Sequence, residues 1–210
     1  GEFMKRKRKN NKKKIIIIVI AIIVVFVSIF AVKSIFKKDK VATAKVVDKL
    51  DKYGYELEAD ATKYYKSLFD NLKKTLNADE VNEEEYAKLV SQLFLADYFN
   101  LENKISKNDV GGVQYIYKPY QETFMKKSMD EVYRYVESNI YGNRKQELPV
   151  VKSVEVTDIT TINYDYLDET DEKAYAVDLS ITYEKDMGYQ TKASLVLVHS
   201  NNKLEIVKMS

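Results

Sequence analysis

The sequence predicts an α+β fold: a single N-terminal transmembrane helix, then three helices packed on one face of a curved four-stranded antiparallel sheet. Three observations carry this. An apolar run of 18 residues, Ile15 to Val32, is broken only by Ser28. Apolar residues then recur at helical spacing from Leu57 to Val136, and after Pro149 the period changes to two. Runs of helices followed by runs of strands place helices against one side of an antiparallel sheet.

Gly1-Glu2-Phe3 ahead of Met4 reads as a cloning scar, so native sequence is expected to begin at Met4. Residues 4–14 form a basic tail. The run after it, as an 18-residue helix, spans about 27 Å, close to the ~30 Å hydrocarbon core of a bilayer. Lys33 can snorkel, which extends the span to Phe36 and gives a transmembrane helix over 15–36. A soluble helix would carry a polar stripe, which this run lacks. A cleaved signal peptide is the stronger rival, since Ala42-Thr43-Ala44 resembles a cleavage motif. However, the run exceeds the usual ~7–15 apolar residues, and Lys33, Lys37, Lys38, Asp39 and Lys40 separate it from that motif. An uncleaved anchor is therefore expected. Eight basic residues precede the span and four follow it, which places the N-terminus in the cytoplasm and the remainder outside.

Charge is divided unevenly. Residues 1–40 hold twelve of the 34 Lys and Arg but only two of the 32 Asp and Glu, leaving 22 basic and 30 acidic side chains in residues 41–210. That part is near −8 although the whole chain is +2. The basic tail is expected to touch anionic lipid, and no nucleic-acid partner is expected.

Residues 37–56 are expected to form a stalk, with Val41 to Tyr53 continuing the anchor as far as Gly54. An extracytoplasmic domain follows over 57–210. Leu57, Ala61, Tyr64, Tyr65, Leu68, Phe69, Leu72 and Leu76 predict a first helix. Asn82 three residues before Glu85 is a capping-box pattern. It opens a second helix with Tyr86, Leu89, Val90, Leu93 and Phe94 on one face, Asp97 as its polar exception and Asn100 as terminator. Residues 101–117, with Gly111-Gly112, read as a short strand or a structured loop. Pro119 suits the first turn of a third helix with Phe124, Met125, Met129, Val132 and Val136 on its apolar face. Val154, Val156, Ile162, Tyr164 and Tyr166 predict a long strand bulged near Asp158. Tyr175, Val177, Leu179, Ile181 and Tyr183 alternate with smaller or polar residues, as in a strand buried on one face. Ala193 to Val198 and Leu204 to Met209 give two more strands, joined at Ser200-Asn201-Asn202.

A basic tail, one span, and helices packed into a curved sheet resemble the membrane-anchored cystatin-like or nuclear transport factor 2-like cone. Such versions are similar to the VirB-type assembly factors of secretion and conjugation machines. Asn108-Asp109-Val110-Gly111-Gly112-Val113-Gln114 and Tyr141-Gly142-Asn143-Arg144-Lys145-Gln146 also resemble segments of uncharacterised membrane proteins of AT-rich Gram-positive bacteria. The first likeness implies an envelope assembly role. The second implies no activity.

Composition excludes much chemistry. Without Cys there is no disulfide, thiolate metal site, thiol nucleophile or lipid-modified Cys anchor, and one His leaves no His-rich metal centre. The six glycines match neither nucleotide-binding fingerprint. No cofactor, metal or catalytic residue is expected. His199 reads as a strand-end histidine rather than a base. The acidic cluster Asp165, Asp168, Glu169, Asp171 and Glu172 reads as a solvated hairpin loop, and Asp97 as a helix-end aspartate contacting a loop. Tyr is over-represented, with all 17 between residues 53 and 189. Tyr115, Tyr117 and Tyr120 beside Gly111-Gly112 are the candidate partner-binding residues, against a core reading in which their rings fill the interior.

Three functional readings remain. The leading one is a non-enzymatic, membrane-anchored module that scaffolds an envelope assembly through an unidentified protein partner, with room for a homo-oligomer. The second is a cone pocket for a small apolar ligand or a cell-wall glycan. The third is a hydrolase or isomerase using Asp97 or His199.

Overall fold

The computed structural model describes residues 45–210. The basic tail, the apolar run Ile15–Val32 and the first part of the expected stalk lie outside the described residues. No described helix is long and apolar enough to cross a membrane.

The described chain opens with a hairpin, β1 (Val46–Leu50) antiparallel to β2 (Tyr55–Glu58). This corrects the expected stalk, because residues 46–58 belong to the folded domain. Leu50, Tyr55 and Leu57 are buried, and burying them is what the hairpin achieves. Gly54 adopts φ +74° in the tight turn, where a side chain would be strained. Leu57, placed at the head of the first helical run, lies instead on β2.

Helix α1 (Lys63–Leu76) starts at Thr62, whose hydroxyl accepts the Tyr65 N–H at 3.1 Å. Helix α2 (Glu83–Tyr98) starts at the predicted Asn82, whose Oδ1 accepts the Glu85 N–H at 3.0 Å. Glu83, Glu84 and Glu85 complement its positive end. The helix is buried on nearly every side, because α1 packs on it from one direction and β3 and β4 from the other. Asn100 ends it differently from expectation: its Oδ1 accepts the Val151 N–H at 3.0 Å and ties the helix end to the start of the sheet.

Residues 101–117 form a structured loop with a 3-10 turn at Val113–Tyr115. Pro119 lies in a second 3-10 turn, Lys118–Tyr120, that leads into α3 (Gln121–Asp130). The third helix stops short of Val132 and Val136, placed on its face by spacing. The break lets Tyr133 turn inward, where its hydroxyl accepts the Gly111 N–H at 3.0 Å and donates to the Tyr98 carbonyl at 2.6 Å.

The sheet has the order β3 (Val151–Tyr166), β4 (Glu169–Tyr183), β5 (Lys192–Ser200), β6 (Lys203–Met209), antiparallel throughout. The β3–β4 register shifts between Val156 and Asp158, where the bulge was predicted. Val177, Leu179, Ile181, Leu195 and Leu197 face the main core with α2. The expectation that β4 is buried on one face only needs correction. Ala174, of opposite phase, is buried in a second cluster with Tyr117, Tyr166 and Val198 on the other face.

Candidate functional site

The predicted tyrosines are placed by how the chain passes the edge of the sheet. Residue 116 forms a single parallel bridge to Ile206 of β6, and the Tyr117 N–H donates to the Ile206 carbonyl at 2.9 Å. Extended backbone alternates its side chains, so the residues around this bridge serve different faces. Tyr115 is wholly buried in the main core, its hydroxyl 2.5 Å from that of Tyr65. Burial pushes its phenol well above the ordinary tyrosine value. Tyr117 is buried in the second cluster, edge-on to Tyr166 and Tyr120 at centroid distances of 5.3 Å. These positions correct the expected docking edge, because neither Tyr115 nor Tyr117 presents a surface. Tyr120 remains partly open and lines an apolar groove between α3 and β6 with Phe124, Ile206 and Met209.

The glycine pair is explained by close approach. A Cβ on Gly111 would come within 2.4 Å of the Asp97 carbonyl oxygen. Gly112 has φ +76°, and a Cβ there would meet the Phe94 ring at 2.6 Å. The Gly112 N–H donates to Asp97 Oδ2 at 2.6 Å, as expected of a helix-end aspartate meeting a loop. Lys104 pairs with the other oxygen of Asp97. Its side chain is 7% exposed, so this is a nearly buried ion pair. Burial by itself lowers the Lys104 ammonium, but the Asp97 carboxylate overrides it and holds the group above its usual value.

This latch forms one wall of a polar cleft of about 180 Å³ between β2, the ends of α1 and α2, and the 103–114 loop. Glu56, Glu58, Asp60 and Asp109 also line it. Gln114 bridges its back, accepting the Glu56 N–H at 2.8 Å and donating to the Glu56 carbonyl and the Tyr65 hydroxyl. Burial, then the charges of Asp60 and Asp97, raise Glu58 above its ordinary value. Chemically the cleft offers negative potential and one carboxyl, Glu58, held above its ordinary range. Asp97, Lys104, Asp109 and Gln114 in its walls are each hydrogen-bonded within the protein, and among the described residues no buried side-chain nitrogen or oxygen lacks a partner.

His199 sits near the end of β5, as predicted, between two carboxylates. Its Nδ1 lies 2.8 Å from Asp171 Oδ2 and its Nε2 lies 3.6 Å from Glu83. Burial favours the neutral form of Asp171, but the His199 and Lys173 amides and the imidazole outweigh it and hold the carboxyl below the usual range. The rest of the acidic cluster occupies the β3–β4 turn. Asp165 accepts the Thr170 hydroxyl at 2.6 Å, and Tyr166 donates to Glu169 at 3.0 Å. Burial and the Glu169 carboxylate push the Tyr166 phenol up to about 12. Among the described residues no three His, Asp or Glu side chains are grouped to hold a metal ion.

Lys104 and Tyr133 were not legible in advance. Each is an ordinary polar residue in an irregular stretch, and only the contact with the end of α2 gives it a role. No family model matches this chain, and neither the curated proteins nor the solved structures contain a significant match to it.

Proposed function

We propose that this chain is a single-pass membrane protein whose C-terminal α+β domain lies outside the cytoplasm and scaffolds a cell-envelope assembly, such as secretion or conjugation machinery, without catalysing a reaction. The observation that carries the proposal is the run Ile15–Val32, polar only at Ser28, with eight basic residues before it and four after. The cystatin-like or nuclear transport factor 2-like cone is part of the same reading. It is supported by the order of helices before sheet and by α2 lying against β3 and β4. The pocket alternative has weaker support, because the more enclosed cleft, about 180 Å³, is polar and small, while the larger apolar groove between α3 and β6, about 590 Å³, is more open to solvent than that cleft.

Protease added outside spheroplasts is expected to digest the domain and leave the N-terminal tail protected. A domain that survives until the membrane is permeabilised overturns the orientation and the extracytoplasmic role with it.

A further inference from the structure

Between α3 and β3 the chain runs from Glu131 to Val150 without a helix or strand of its own. A connection this long is unusual in a small domain and commonly functional. It is also tightly held. The Arg144 side chain is 2% exposed, and its guanidinium donates to the carbonyls of Glu102 at 2.6 Å and Lys104 at 2.7 Å. The Asn139 N–H donates to the Ile105 carbonyl at 2.7 Å, and Asn139 Oδ1 accepts the Arg144 N–H. Gln146 accepts the Glu137 N–H and donates to the Tyr135 carbonyl. A buried arginine thus staples the loop to residues 102–105.

The tip of this loop displays two apolar residues, with the charged Glu137 and Lys145 exposed on either side. Ile140 is 67% exposed and Tyr141 89% exposed, within the uncharged stretch Ser138–Asn143. A rigid loop that holds its apolar residues in water is built for a surface that covers them.

The loop shares one end of the domain with the start of the described chain. The Lys45 carbonyl accepts the Ala59 N–H, and Val46 pairs with Glu58. Glu58 and Lys104 line the same cleft, and the Lys104 carbonyl is one of those holding Arg144. Val46 and Val47, also exposed, lie at this end. Residues 33–44 alone separate Lys45 from the apolar run, a reach of at most about 40 Å.

We propose that Ile140 and Tyr141 seat in the interfacial zone of the bilayer that holds the anchor, with the Tyr141 ring at headgroup level. The proposal rests on the anchor reading. Tyrosine suits that zone because it buries an apolar ring and keeps a polar tip in water. Glu56, Glu58, Asp60 and Asp109 line the cleft at the same end and offset the exposed Lys107 and Lys145, so apolar burial drives the seating and lipid charge does not.

The chain has no Trp, so Tyr141→Trp creates a sole indole reporter. Leu167→Trp, at the exposed β3–β4 turn, is the control, because that turn follows the far end of β3 from Val151, which Asn100 holds at the C-terminal end of α2. Each full-length variant is reconstituted into phosphatidylcholine vesicles, with and without phosphatidylglycerol, and its fold is checked by circular dichroism. Co-flotation with the vesicles reports the anchor, and quenching by brominated phospholipid reports the tip. Tyr141→Trp is expected to emit to the blue and to lose most of its emission in both lipid mixtures, while Leu167→Trp keeps its emission. If the protein floats and the two variants are quenched alike, the seating is wrong and the anchor stands. The same holds if quenching requires phosphatidylglycerol. Failure to float overturns both.

Discussion

Asp97, in the last turn of α2, serves two partners at once: it accepts the Gly112 amide and neutralises Lys104. The two partners of the ion pair are not equally buried, since Lys104 is 7% exposed and Asp97 25%. Removing the carboxylate leaves a buried ammonium and an amide without acceptors, whereas removing the ammonium leaves a carboxylate that keeps its amide bond and reaches water. Asp97→Ala is therefore expected to cost about 3–5 kcal/mol, the range for breaking a buried pair. Lys104→Met, which keeps the apolar stem, should cost about 1–2 kcal/mol, nearer the value of one charged hydrogen bond. Urea denaturation of both variants measures this, and equal losses would remove the asymmetry on which the argument stands. None of it is visible in the sequence beyond Asp97 itself. That aspartate stands out as a polar residue on an apolar stripe, but Lys104 is one of many lysines until the loop is folded over it.

The segment Ile116–Tyr120 shows how an element takes on two tasks. It pairs once with the edge strand β6 and, in doing so, sends Tyr117 to the sheet face opposite α2. Truncating a buried aromatic costs ~3–5 kcal/mol, and Tyr117→Ala is expected in that range. Tyr120→Ala, at a partly open position, should cost about 1 kcal/mol, as is common for single substitutions. Thermal or urea midpoints separate these outcomes, and a surface-like loss at Tyr117 would mean that the second cluster is not a packed unit. Spacing alone revealed the helices and the sheet because each has a period and a start signal: Asn82 caps α2, and β3 slips in phase near Asp158. The β1–β2 hairpin was hidden because Leu57, Ala61 and Tyr64 also fit a helical repeat, so the period could not separate a four-residue strand from the first turn of α1. Tyr117 was hidden because its burial depends on a strand ninety residues further along the chain.

The described residues belong to one compact unit, although its apolar interior is divided. The main core lies between the sheet and the α1–α2 layer, and the smaller cluster lies across the sheet. A sheet one residue thick cannot insulate its two faces. Ala174 and Val177 are three residues apart on β4 and belong to different clusters, so loss of the strand removes both. The same strand joins them to β5 through an unbroken antiparallel register and to β3 through one bulged at three points. Residues 41–210 prepared without the anchor are therefore expected to unfold in a single cooperative transition, with backbone circular dichroism and the near-ultraviolet tyrosine signal coinciding. Leu179→Ala in the main core should cost about 2–5 kcal/mol, and Tyr117→Ala across the sheet should lower the midpoint of that same transition without splitting it. If the tyrosine signal of the Tyr117→Ala variant melts ahead of the backbone signal, the second cluster is an independent unit and β4 does not couple the faces.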